Sequence, residues 1–291
     1  MHITGTTRLV TLLGHPVAHS LSPLIHNTAF AAQGLDFVYT ASPVALNQVE
    51  AAVFGLRALG AAGANVTIPH KQAVLPLMDT LSERAEAIGA VNTIVCQLTD
   101  GGVTLHGDNT DPVGFLAPLL DRTDLNGTEM LIWGAGGAAR SVVCALLTQF
   151  KPSRLTLVAR TPAKAEALAA DFATFDMTNA LTVQSLTDAE SAVRKSVLLV
   201  NTTPLGMHGR FEDATPWENA ADFGGAHTVY DLVYNPHPTR LLREATKRGA
   251  TIVGGLPMLV GQAAASYQQW TNHKMPTDVV YAALAQKGYM A

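Results

Sequence analysis

Charge is scarce in this chain: Asp, Glu, Lys and Arg make up 14% of its 291 residues. The formal net charge is −4, and no Lys/Arg cluster or basic stripe is present. This argues against nucleic acid as the main partner, which demands a cationic surface. Cysteine is rarer still. Cys96 and Cys144 stand far apart in apolar contexts, so they read as two buried thiols rather than a disulfide or a metal site. No apolar run reaches the length of a bilayer span, and no basic segment leads into an apolar one at the N-terminus. The expectation is a cytoplasmic protein without a membrane partner, a nucleic-acid partner or a metal. Apolar residues are plentiful at 48%, enough for the cores of two domains.

Strand and helix signals alternate almost throughout, the pattern of an α/β protein with parallel sheets. Short apolar strands are predicted at 9–13, 37–40, 129–133, 155–159, 197–201, 228–232 and 251–253, with another ending at Val66. Helices are predicted at 23–33, 46–59, 71–77, 82–88, 162–172, 239–248, 258–270 and 277–286, and one opens after Gly134 and runs to Gln149. Asp100-Gly101-Gly102 predicts a hairpin between strands 93–96 and 103–105. A domain boundary is expected between Asp111 and Asn126, where Asn126-Gly127 signals a turn and a new strand follows.

Gly134-Ala135-Gly136-Gly137-Ala138-Ala139 has the form G-x-G-G-x-A, with a strand before it and a helix after it. The first glycine suits a tight turn, the second lets backbone N–H groups approach a pyrophosphate, and Ala139 allows close helix–strand packing. The helix start offers free donors and a positive dipole end to phosphates. A strand-to-helix turn that binds nothing would use the same residues. At the end of the next strand stand Ala159-Arg160-Thr161, with Lys164 one helical turn on and no acidic residue. An NAD site normally places a carboxylate there for the ribose hydroxyl. Arg160 and Lys164 instead suit a 2′-phosphate, which points to NADP.

Polar residues gather in the first third. Ser22 before Pro23 reads as a helix N-cap, and Ser20 places a second hydroxyl two residues earlier. Together they would form a neutral anion site suited to a carboxylate. Asn65 and Thr67, two apart, share one face of an otherwise buried strand, and Lys71 follows directly after Pro69-His70. Asn92 and Asp111 end neighbouring elements. Each of these alone suits an internal hydrogen-bond network or a turn; together they supply polar groups where α/β proteins place ligands.

These stretches, in order and over nearly the whole chain, resemble the shikimate dehydrogenase family. The matching segments are Gly14-His15-Pro16-Val17, His19-Ser20-Leu21-Ser22-Pro23, Asn65 to Lys71, Gly89 to Thr93, Gly107 to Asp111, Gly134 to Ala139, Asn201 to Met207 and Gly255 to Gln262. The resemblance implies two domains with a cleft between them. Residues 1–111, completed by helices in 257–291, would form an α/β substrate domain, and 112–256 a Rossmann-type NADP-binding domain. It implies reversible NADP-linked reduction of 3-dehydroshikimate to shikimate, with Lys71 as catalytic lysine and Asp111 as its partner. Ser20 and Ser22 would hold the substrate carboxylate with Tyr234 nearby, and Asn65, Thr67, Asn92, Asp111 and Gln262 the ring hydroxyls. Gly134, Ala135, Gly136, Gly137, Ala138, Arg160, Thr161, Lys164, Thr203, Met207 and Gly255 would line the cofactor. A monomer or homodimer is expected. Two positions depart from the family pattern: Pro112 stands where Gly is common, and Ala159 where many members have Asn.

Two rival readings use the same residues. One is a relaxed quinate/shikimate dehydrogenase that also accepts NAD; Ser22, Arg160 and Lys164 favour shikimate and NADP over it. The other is a dehydrogenase-like sensing module that binds without turnover, and the intact Lys71 and Asp111 argue against it.

Overall fold

A computed structural model describes residues 3–176, 178–209 and 211–290, which form two compact units. The first comprises residues up to Gly114 together with Val260–Met290; the second is Phe115–Leu259. In chain order the first unit contains β1 (Arg8–Gly14), α1 (Ser22–Ala32), β2 (Phe37–Pro43), α2 (Val49–Ala58), β3 (Gly63–Val66), β4 (Thr80–Leu81), α3 (Glu83–Ile88), β5 (Thr93–Thr99) and β6 (Gly102–Asp108). The chain leaves it within α4 (Asp111–Leu116). The second unit holds β7 (Glu129–Trp133), α5 (Gly137–Gln149), β8 (Arg154–Val158), α6 (Pro162–Asp171), β9 (Leu181–Gln184), α7 (Glu190–Lys195), β10 (Leu198–Asn201), β11 (Thr228–Asp231), α8 (Arg240–Lys247) and β12 (Thr251–Val253). The chain returns to the first unit within α9 (Leu256–Thr271) and ends with α10 (Thr277–Gln286).

The first sheet has the order β2-β1-β3-β5-β6-β4. It is mixed rather than parallel, which corrects the expectation from alternation. The strands joined at Asp100-Gly101 are linked too tightly for any pairing but antiparallel, so β5 runs against β6, and it also pairs antiparallel with β3. β1 is buried from Val10 to Gly14, with no alternation, as a central strand covered on both faces should be. One covering layer is aliphatic, built on Val49, Val53 and Leu56 of α2. The other is aromatic. Phe30 of α1 stacks on Tyr267 of α9, and Trp270 donates its indole N–H to the Ile94 carbonyl at 2.9 Å. A side chain at Gly63 would lie 2.2 Å from that carbonyl, so glycine is what lets the helix dock so close.

The second sheet is wholly parallel, with order β12-β11-β10-β7-β8-β9. Numbered within the unit this is the doubly-wound nucleotide-binding order, with its switch point between β7 and β10. Met130 to Trp133 and Leu198 to Asn201 are buried throughout, and α5 packs Ala139, Val142, Val143 and Leu146 on the sheet at helical spacing.

Three local expectations fail. Residues 71–77 form turns and a short 3-10 segment at Leu75–Leu77 instead of a helix, because Pro76 has no N–H to continue one. Ser22 does not cap α1: Leu21 occupies that position, and Ser22 is already helical, so its hydroxyl cannot reach forward to the free N–H groups. β3 ends at Val66, so Thr67 lies just beyond it, although its N–H still pairs with the Leu13 carbonyl at 2.9 Å.

Candidate active site

In the first unit the polar residues singled out above converge at the ends of β3, β5 and β6. Thr67, His70 and Lys71 follow β3 through a turn closed by the His70 N–H on the Thr67 carbonyl. The backbone of Lys71 is pinned by Val91, whose N–H donates to its carbonyl at 2.8 Å. The Lys71 ammonium lies 2.5 Å from Asp111 Oδ2, and both side chains are largely shielded, at 17% and 7% exposure. Asn92 donates from Nδ2 to the other oxygen, Asp111 Oδ1, at 2.7 Å. The carboxylate is therefore held from two sides, by a charge and by an amide. The histidine beside the lysine is committed elsewhere: His70 is buried, with its Nε2 2.7 Å from the Val44 carbonyl.

Ser20 and Ser22 are brought together, with hydroxyls 3.2 Å apart. Asn65 is buried and heavily engaged. Its Oδ1 accepts from the Tyr39 hydroxyl at 2.8 Å, and its Nδ2 donates to the Asn92 carbonyl at 3.1 Å and to Ser266 Oγ at 3.1 Å. Thr67 and Gln262 are half-buried, and Gln262 sits one helical turn before Ser266 on α9. Below this cluster Asp108 clips β6 to α3 and α9, accepting from Ser82 at 2.5 Å, Arg84 Nε at 2.7 Å and Gln269 at 2.5 Å. Burial alone would raise its carboxyl, but the bonds from Arg84 and Ser82 and the charge of Arg84 take it down to about 2.

In the second unit the glycine turn follows β7. Gly134 has φ +116°, and a side chain there would lie 2.4 Å from Thr202 Oγ1. Gly136 is the cap of α5, exposed, with open space where a side chain would point. The first N–H groups of α5 thus face an unobstructed approach, which fits a pyrophosphate. Ala135, Gly137 and Ala138 are half-buried around it. Arg160, Thr161 and Lys164, after β8, are exposed, and among the described residues neither cation forms an ion pair. The donor set is the one an additional phosphate requires.

Thr203 and Met207 lie on the loop after β10. Thr203 donates to Asn201 Oδ1 at 2.7 Å, so its hydroxyl also shapes the loop. Gly255 is buried, and a side chain there would lie 2.2 Å from the Leu232 carbonyl, so its smallness serves packing. Tyr234 is half-buried on the loop after β11. That loop is anchored by Asp231, which accepts from Val233 N at 3.0 Å, Thr239 Oγ1 at 2.6 Å and Asn201 Nδ2 at 2.9 Å. Burial raises the Asp231 carboxyl to about 6, against the pull of these three hydrogen bonds.

Sequence reading missed Tyr39, Thr93, Thr110, Ser266 and Asp231. Thr110 lay inside a quoted segment, and Ser266 is four residues after Gln262, on the same helical face. Nothing local marked Tyr39, inside β2, and Asp231 showed only as a polar end on a buried strand. Cys96 is buried and Cys144 half-buried, and both thiols are free. Among the described residues no helix is long and apolar enough to cross a membrane.

Residues 12–94 match the model of the shikimate dehydrogenase substrate binding domain, and residues 255–285 that of the shikimate 5′-dehydrogenase C-terminal domain. The chain is 58% identical over 286 residues to the shikimate dehydrogenase (NADP(+)) of Salinibacter ruber, covering 98% of this chain and 99% of that protein. Its structure resembles that of a shikimate dehydrogenase in complex with NADP+, with TM-score 0.89, 35% identity and coverage of 98% and 97%. It also resembles the shikimate 5-dehydrogenase of Thermus thermophilus in complex with NADP(H) and shikimate, with TM-score 0.82, 36% identity and coverage of 96% and 99%.

Proposed function

Since the chain belongs to the shikimate dehydrogenase family, we propose that it interconverts 3-dehydroshikimate and shikimate with NADP(H) as hydride carrier. The observation that carries this reading is the shielded Lys71–Asp111 pair, held on its far side by Asn92. Carbonyl reduction needs a hydride at carbon and a proton at oxygen. NADPH supplies the hydride when bound. Lys71 supplies the proton: its ammonium carries three N–H donors, and Asp111 engages one of them, leaving donors for the substrate oxygen. In the oxidative direction the same nitrogen receives the hydroxyl proton. Asp111 fixes the ammonium's position and balances its charge.

Ser20 and Ser22 hold the substrate carboxylate through paired hydroxyls, and Tyr234 is assigned to it by family resemblance. Thr67, Asn92, Asp111 and Gln262 bind the ring hydroxyls. Asn65 joins them through the second lone pair of its Oδ1, the only capacity its internal bonds leave. On the second unit, the turn from Gly134 to Ala138 and the start of α5 hold the pyrophosphate, and Arg160 with Lys164 hold the 2′-phosphate. Thr161, Thr203, Met207 and Gly255 complete that lining. The first unit is thus the substrate domain and the second the cofactor domain.

The test is turnover, followed by absorbance of the reduced cofactor, with shikimate or quinate and NADP or NAD in every pairing. Turnover confined to shikimate with NADP is expected. Efficient use of quinate or NAD would overturn the assigned specificity. Cofactor binding without turnover of any pair would overturn the enzymatic reading.

A further inference from the structure

Behind Lys71 and Asp111 lies a buried hydrogen-bond network that runs to α9. Ser266, on α9, is fully buried, and its Oγ meets four groups from different parts of the chain. Asn65 Nδ2 lies at 3.1 Å, Thr93 Oγ1 at 2.8 Å, Thr110 Oγ1 at 3.1 Å and the Gln262 carbonyl at 3.1 Å.

The directions of the amide bonds in this network are fixed by groups that can act in only one way. Asn92 Oδ1 accepts the backbone N–H of Thr110 at 2.8 Å, so the amide cannot be flipped, and its Nδ2 must be what faces Asp111. Asn65 Nδ2 faces the Asn92 carbonyl, so it is a donor, and Asn65 Oδ1 must accept from Tyr39. The Tyr39 ring is itself held by stacking on His26, with centroids 4.4 Å apart and planes 8° from parallel. A serine hydroxyl has one proton and two lone pairs. At Ser266 the proton goes to the Gln262 carbonyl, one lone pair takes the Asn65 donor, and the other takes a threonine hydroxyl.

We propose that Ser266 is a positioning residue for the reaction, acting through Thr110 and Asn92 on the Asp111 carboxylate and so on Lys71. The proposal rests on the function assigned above. With Oγ removed, the Asn65 amide and a threonine hydroxyl lose a partner in a site that water does not reach. Buried donors re-pair at the expense of neighbouring bonds. The Thr110 hydroxyl bonds the Asn92 amide, accepting from Nδ2 at 3.0 Å and lying 3.2 Å from Oδ1, and that amide holds Asp111 Oδ1, so a shift of Thr110 is passed on to the carboxylate.

Wild-type turnover of shikimate with NADP is measured first; its absence would sink the functional reading itself. S266A is then compared with T271V, which removes another α9 hydroxyl, one bonded to the Tyr267 carbonyl at 2.7 Å and unconnected to the network. Rates are normalised to the folded fraction from near-ultraviolet circular dichroism. S266A should lose about tenfold in kcat per folded molecule, with KM for NADP within about twofold and T271V close to wild type. The inference is overturned if S266A keeps kcat within about twofold of wild type, or if T271V falls as far.

Discussion

Among single residues, the proposed chemistry is concentrated in one charge pair. Lys71→Ala removes both the proposed proton donor and the partner of a buried carboxylate. It should lower kcat by about 10²–10⁴-fold while leaving KM for NADP unchanged, as steady-state kinetics would show. The pairing of Lys71 with Asp111 was anticipated from the sequence because each sits in a short, specific segment. Their supporting residues were not, because a hydroxyl or amide on a buried strand looks the same whether it serves a site or a network. Ser22 shows how a local rule misleads: a serine before proline suggested a cap, yet its backbone is already helical and its hydroxyl turns to Ser20. Asp231 leads to a prediction about pH. Its folded carboxyl stands near 6 against an ordinary 3.8, so the folded state holds the proton more tightly. The stability this confers is present below about pH 4 and is lost as pH rises through about 6, roughly 3 kcal/mol in all. Asp231→Asn should abolish that decline, as urea unfolding of both proteins across this range would reveal.

At the level of elements, the glycine turn after β7 separates two demands. Gly134 serves the backbone, since its positive φ and the nearby Thr202 leave no room for a side chain. Gly136 has open space beside it, on the side proposed for the phosphates. Gly136→Ala should therefore leave the melting temperature nearly unchanged and weaken NADP binding by about tenfold, or about 1.4 kcal/mol, measured by calorimetric titration. Unchanged affinity would mean that the open space is not where the phosphates lie. Most elements of the second unit were readable because parallel strands buried on both faces appear as bare apolar runs. β9 and α7 were not: β9 is half-buried along its length and, at four residues, too short for its alternation to stand out, and α7 spans only six residues. The stretch from Lys71 to Leu77 looked helical by its apolar content, and Pro76 decided otherwise.

Across the molecule as a whole, the chain returns from its second unit to finish its first. Trp270 is the main anchor of that return, 4% exposed and bonded to the Ile94 carbonyl. Trp270→Ala should cost about 3–5 kcal/mol of stability by thermal or urea unfolding, through the cavity and the lost hydrogen bond to Ile94. It should also depress kcat, because the same helix carries Ser266 and Gln262. The α/β class, the doubly-wound cofactor unit and the order of the motifs were already legible in the residues, since strand burial, turn residues and glycine spacing are local and repeat with a fixed period. The antiparallel pairing of β3 with β5 and the joining of Ser266 to Asn65, 201 positions away, emerged only when the layers were assembled, and the return of α9 was implied by the family resemblance alone. No periodicity encodes which distant polar groups will meet; that depends on which buried donors and acceptors remain to be paired once the layers have packed.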